Sequence, residues 1–185
     1  SKAQPKLPPE VDNAEVATTD WFAMLRSKRF ESRLEYLTTE RGLTRKTLDK
    51  FQVGYDGERY TVPIRSGVDG PIRNVKKYRR NGSPKWMSTK GHGSPSMVAF
   101  TGLLAENTLP VIFCAGEFDA MLTNQKAGAH AVAVTATGGE GVVPRELSMF
   151  ANREVFIGYD CDDAGRAGTD KLATALRKVG AVVHI

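Results

Sequence analysis

The sequence predicts an α/β fold: a mainly parallel sheet flanked by helices, preceded by a small α+β subdomain. Three observations carry this. From about residue 109 onward, short apolar runs alternate with helix-period stretches, the pattern of parallel strands joined by right-handed crossovers. Upstream, apolar Tyr60, Val62 and Ile64 alternate with polar residues and lead through a Gly-flanked turn into residues 72–78, an antiparallel hairpin. The chain of 185 residues is also long enough to bury a real core in one domain or two small ones. The expected organisation is a linker over 1–13, an α+β subdomain over 14–107 and the parallel-sheet domain over 108–185.

The opening 13 residues hold three prolines and little apolar content, hence the linker. Residues 14–27 form a helix carrying Trp21, Phe22 and Leu25. Phe30, Leu34 and Leu37 recur at spacings of four and three, the period of one helix face. Gly42 is placed to end that helix, and Thr44 to N-cap a short one that turns Leu48 and Phe51 inward. The hairpin's second strand carries Arg73, Lys76, Lys77 and, just past it, Arg79. A loop rich in Gly, Ser and basic residues follows over 81–93, with Lys85, Trp86 and His92.

The net charge of +5 is a patch rather than an average. Residues 70–105 hold seven Lys or Arg and no Asp or Glu, so the remainder sums to −2. Such a patch is the footprint of a phosphate-backbone binder, and equally the solvated face of an ordinary protein. Cations interleaved with Trp and Tyr suit a single strand, because the cations track phosphates while aromatic faces stack on bases. Trp86 reads either as that stacking platform or as a partly buried core anchor. His92, between two glycines, reads as a loop histidine.

Two cysteines and three histidines do not make a four-ligand zinc site of the usual spacing. No apolar run approaches the roughly 20 residues that span a bilayer, and no signal peptide opens the chain. A reduced, intracellular protein without a membrane partner is expected. There is no GxxxxGK[ST], so this segment is not a P-loop ATPase.

In the second part, residues 110–114 form a strand, 117–126 a helix, 131–134 a strand and 137–141 a glycine loop. Residues 144–150 form a short helix, 154–159 a strand, 162–179 the longest helix and 181–185 a last strand. Asp160 and Asp162 sit two apart at a strand end, so an extended backbone turns both to one side. They read as an N-capping Asp among solvated carboxylates, or as two hard oxygen ligands for Mg²⁺. In parallel sheets, ligands bind beyond the carboxyl ends of the strands. That rule sets Glu117 and Asp119 next to Asp160 and Asp162, facing the basic segment. Carboxylates holding a metal beside a cationic groove are a recipe for phosphoryl transfer on nucleic acid.

Val111-Ile-Phe-Cys-Ala115-Gly116-Glu117-Phe-Asp119, followed by Tyr159-Asp160-Cys161-Asp162-Asp-Ala-Gly165-Arg, resembles the Toprim domain, marked by an E-G-x-x-D turn and a later DxDxAG. Upstream, Arg41-Gly42-Leu43, Val53-Gly54-Tyr55, Val62-Pro63-Ile64-Arg65 and Pro84-Lys85-Trp86 resemble the catalytic core of bacterial and phage primases. The resemblance spans roughly residues 33–185. It implies a primase core, from a phage-type primase or a primase-helicase, that joins ribonucleoside triphosphates on a single-stranded DNA template. It also implies Mg²⁺ or Mn²⁺ held by Asp160 and Asp162, with Asp119 as partner. Arg79 and Lys85 would guide template or nucleotide phosphates, and Arg73, Lys76, Lys77 and Trp86 around them complete the expected nucleic-acid or nucleotide contact. A replicative helicase, fused or separate, is the implied partner, and the cytoplasm of a bacterium or infected host the implied location.

The resemblance breaks at one position. Ala115 stands where the family has the Glu of E-G-x-x-D, and a methyl group neither binds metal nor transfers a proton. An engineered substitution, a naturally degenerate domain, or takeover by Glu117 would each account for it. The family's next acidic motif and its zinc module are also not in this sequence, so a catalytically poor chain is expected. The alternative is a non-catalytic module gripping single-stranded DNA for a helicase. A Toprim nuclease is disfavoured, because those lack the hairpin and the P-K-aromatic element.

Overall fold

The computed structural model describes residues 14–67, 70–89, 97–105 and 107–185. The expected linker, the tip of the hairpin turn and His92 lie outside the described residues. The chain separates into two compact units, Pro8–Gly93 and Ser94–Ile185.

The N-terminal unit is a four-stranded antiparallel sheet in the order β1-β2-β3-β4, with β1 Gly54–Tyr55, β2 Tyr60–Arg65, β3 Ile72–Tyr78 and β4 Trp86–Ser88. Helix α1, Ala14–Arg26, lies against it, and α2, Glu31–Glu35, runs on into a π-helical turn over Tyr36–Glu40. The expected stop and start are both present. Gly42 takes φ +68°, which suits glycine, and the Thr47 amide donates to Thr44 Oγ1 at 3.2 Å to open α3, Arg45–Lys50.

Strand β2 is covered on both faces: Tyr60, Val62 and Ile64 are buried, and so are Thr61 and Pro63 between them. The reason is α1. A Cβ at Gly54 would stand 2.6 Å from the Trp21 carbonyl carbon and 2.8 Å from Thr61 Oγ1, so that helix sits directly over the second face. Trp21 packs there against Ile72 and Val75.

The C-terminal unit is a five-stranded sheet in the order β5-β7-β6-β8-β9. Its strands are β5 Val98–Ala99, β6 Val111–Cys114, β7 Val132–Ala136, β8 Glu154–Gly158 and β9 Val182–His184. All neighbours are parallel except β5, which runs antiparallel to β7. That pairing draws β5 and α4, Gly102–Ala105, into this unit, so the division falls before β5 rather than at 107/108. The Arg153 guanidinium fixes the same segment by donating to the carbonyls of Leu104, Asn107 and Leu109 at 2.9–3.0 Å.

Two helices cover opposite faces of the sheet. Alternate residues of β6 separate them: Val111 and Phe113 share a core with Leu172 and Leu176 of α6, Asp163–Lys178, while Cys114 packs with Ala120 of α5, Glu117–Ala127. The expected helix over 144–150 shrinks to a 3₁₀ turn at Ser148–Phe150, which drops Phe150 against Phe113 at 5.8 Å. No helix among the described residues is long and apolar enough to cross a membrane.

Candidate functional site

The carboxyl edge of the parallel sheet gathers the acidic residues. Strands β6 and β8 are neighbours in register Cys114↔Gly158, so the turns beginning at Ala115 and at Tyr159 leave the sheet side by side. Strand β7 flanks β6 on its other side with Cys114↔Thr135, bringing the glycine loop 137–141 to the same edge.

Each acid has a distinct setting. Gly116 N-caps α5 in an extended conformation, putting Glu117 and Asp119 in its first turn. Asp119 is exposed, and a Cβ at Gly116 would stand 3.2 Å from its Oδ2. Glu117 is only 3% exposed. It is sunk into the unit rather than presented with Asp119, as a two-residue shift along a helical turn dictates.

Asp162 caps α6: the Gly165 amide donates to its Oδ1 at 2.8 Å. The cap and the ligand readings are therefore compatible, since a carboxylate keeps a second oxygen. Asp160 is exposed, and its amide donates to Glu140 Oε1 at 2.6 Å. Tyr159, just before it, is edge-on to Phe113 at 6.2 Å, and burial, reinforced by the Glu140 charge, pushes its hydroxyl pKa up. Cys114 at the end of β6 is likewise raised by burial.

Glycines fix this geometry. A Cβ at Gly165 would lie 2.0 Å from the Asp160 carbonyl oxygen, and one at Gly168 only 2.3 Å from that of Glu140. Both loops thus rest directly on α6, one turn apart. Glu140 was not among the residues expected at this edge. The available signal was an acid inside Gly138-Gly139-Glu140-Gly141, directly after a parallel strand.

The donor set suits a hard divalent cation, since the exposed groups are carboxylate oxygens at strand ends. Among the described residues, no group of three or more His, Cys, Asp or Glu side chains is placed to hold an ion. Carboxylates that form no closed cage would leave most of a cation's coordination to water and phosphate.

In the N-terminal unit the six expected nucleic-acid or nucleotide contacts separate by environment. Lys77 Nζ donates to Asp56 Oδ2 at 2.7 Å and stands 4.6 Å over the Trp21 ring, so its charge is spent internally. Lys76, opposite Val62 on β3, is buried. Arg73 donates to Ser66 Oγ at 3.5 Å, and its side chain is partly covered. Arg79, paired with Glu58, and Lys85 are exposed. Trp86 is partly buried, with its ring 4.9 Å from that of Tyr78. Arg59 ties down the 79–85 turn by donating to the Pro84 carbonyl at 3.1 Å.

No protein-family model and no curated protein sequence matches the chain. Solved structures do. The DnaG catalytic core aligns over 85% of this chain and 64% of its own, at 19% identity and a TM-score of 0.69. A DnaG primase catalytic domain bound to single-stranded DNA aligns over 87% and 65%, at 19% identity and 0.65. The primase fragment of the bacteriophage T7 primase-helicase aligns over 80% and 63%, at 18% identity and 0.61. The chain has the fold of bacterial and phage primase catalytic cores and spans less than two thirds of the length of each of these three.

Proposed function

We propose that this chain is the Toprim-containing catalytic core of a primase, whose parent protein makes short RNA primers on single-stranded DNA. The observation that carries the reading is the fold alignment across both units, together with acidic turns at two adjacent parallel strand ends. Asp160 and Asp162 are the proposed ligands of Mg²⁺ or Mn²⁺, with Asp119 beside them. When bound, the cation would neutralise charge developing on the transferred phosphoryl group. The chain's own residues set the stage. Asp162 fixes the start of α6, Glu140 steadies the Asp160 backbone, and exposed Arg79 and Lys85 supply cations for template or nucleotide phosphates. Ribonucleoside triphosphates are the proposed substrates, a replicative helicase the proposed partner and the cytoplasm the proposed location.

Ala115 supports a second reading, a non-catalytic module that grips single-stranded DNA for a helicase. One assay separates them: ribonucleotide incorporation on single-stranded DNA with Mg²⁺ or Mn²⁺, by the chain with Ala115, by Ala115→Glu, and by Ala115→Glu with Asp160→Ala. The catalytic reading expects little product from the first, a clear gain from the second and its loss in the third. No product from any of them, with strand binding retained, leaves only the gripping module.

A further inference from the structure

We infer that Arg166 is a positioning residue for the two aspartates at the carboxyl edge, fixing through the backbone where Asp160 and Asp162 present their carboxylates. This rests on the metal-ligand reading above and adds a residue to which that reading gives no part.

Packing does not hold this turn. Every residue from 160 to 164 is exposed, and the three aspartates among them repel one another. Hydrogen bonds hold it instead. The Asp160 amide donates to Glu140 Oε1 at 2.6 Å, and the Gly165 amide to Asp162 Oδ1 at 2.8 Å. The Arg166 amide donates to the Asp162 carbonyl at 2.9 Å. Cys161 links the two aspartates, and its carbonyl accepts from Arg166 Nη1, while Nη2 donates to Asp163 Oδ1 at 2.5 Å. One guanidinium fork thus spans the middle of the turn and the first residue of α6.

The gripped carbonyl belongs to the peptide plane that joins Cys161 to Asp162. Holding that plane sets the direction in which Asp162 enters its helix cap. With the Glu140 bond on the other side, it also sets the backbone from which Asp160 projects. None of these bonds uses the Asp160 carboxylate. A charged donor also makes a bond roughly twice as strong as a neutral one.

Stability accounts for little of this. A cation in the first turn of a helix opposes the macrodipole. The ion pair with fully exposed Asp163 is of the weak surface kind. What the guanidinium contributes is geometry, because Mg²⁺ accepts only near-ideal octahedral placement of its ligands. Lysine carries the same charge without the fork.

The test compares the full chain with Arg166→Leu and Arg166→Lys, using Mn²⁺ as the probe and reading the free ion by electron paramagnetic resonance. Hydrogen exchange of the Asp160 and Gly165 amides is followed without metal. Charge and positioning predict opposite signs. Removing a cation beside two carboxylates would by itself tighten Mn²⁺ binding. Losing the fork should instead weaken it about tenfold in both variants, the scale of removing a group that orients a metal ligand. Exchange at both amides should quicken about fivefold, with the urea midpoint unchanged. The inference is overturned if either variant binds Mn²⁺ as tightly as the parent, if exchange stays as slow, or if the urea midpoint falls. Each of those results leaves the primase reading standing, because the primer assay reads positions 115 and 160. A parent chain that binds no Mn²⁺ removes the metal site, and the role of Arg166 with it.

Discussion

Glu140 accepts the backbone amide of Asp160 at 2.6 Å, joining the loop after β7 to the turn after β8. The ends of two strands that are not neighbours in the sheet are thereby coupled across the end of β6, where Ala115 stands. The bond lies on the partly exposed carboxyl edge, so it holds one turn rather than the whole unit. Glu140→Ala should speed hydrogen exchange of the Asp160 amide about fivefold, the equivalent of about 1 kcal/mol. Glu140→Gln, which retains an acceptor, should do less. Unchanged protection in the alanine variant would remove Glu140 from the site.

Gly168 offers a sharper test of the same contact. Inside an exposed helix, glycine to alanine ordinarily stabilises by about 1 kcal/mol. Here the new methyl would meet the Glu140 carbonyl oxygen at 2.3 Å, and backbone on both sides has little room to yield. Gly168→Ala should therefore destabilise by about 1–3 kcal/mol. A higher melting temperature in that variant would contradict the packing described.

The two aspartates of the DxD should separate by role. Asp162→Ala removes the cap of α6 and should cost about 1 kcal/mol in urea unfolding. Asp160 gives its backbone, not its side chain, to the hydrogen bond with Glu140. Asp160→Ala should stay within about 0.5 kcal/mol of the parent. It is accordingly the cleaner substitution for metal and activity assays. Equal stability losses at both positions would refute the distinction.

Asp56 gives a pH dependence of definite sign. Burial alone would raise its pKa, but the Lys77 ammonium and the amides of Arg59 and Glu58 outweigh it and hold it below the ordinary 3.8. A carboxyl depressed on folding stabilises above its unfolded pKa, and that contribution disappears as pH falls through the folded value. Asp56→Asn should cost about 2 kcal/mol at neutral pH. The difference from the parent should shrink below about pH 4. A deficit that persists undiminished at low pH would count against the ion pair.

Much of the architecture was legible because it follows local rules. Strand and helix periods gave the order of elements in the second unit, and the spacing of Gly42 and Thr44 gave one helix end and the next helix start. The carboxyl-edge rule places the turns after β6 and β8 side by side, as the register Cys114↔Gly158 has them. The helix over 144–150 and the boundary at 107 differ from the structure for a common reason. Each depended on what packs against the segment, and a period does not record that.

The sequence by itself determined which residues carry chemistry: carboxylates at strand ends, a cationic stretch with aromatics, and alanine where the resemblance expects glutamate. Tertiary structure decided which of those groups are available. Lys77 is consumed by Asp56 and Trp21, Lys76 and Glu117 are buried, and Asp162, though exposed, commits one oxygen to a helix cap. It also decided that Glu140, twenty residues upstream of Asp160, belongs to the site. Residue type and local period are written along the chain. Pairings such as 56 with 77 or 140 with 160 depend on strand order and helix crossovers, which exist only once the chain has closed on itself.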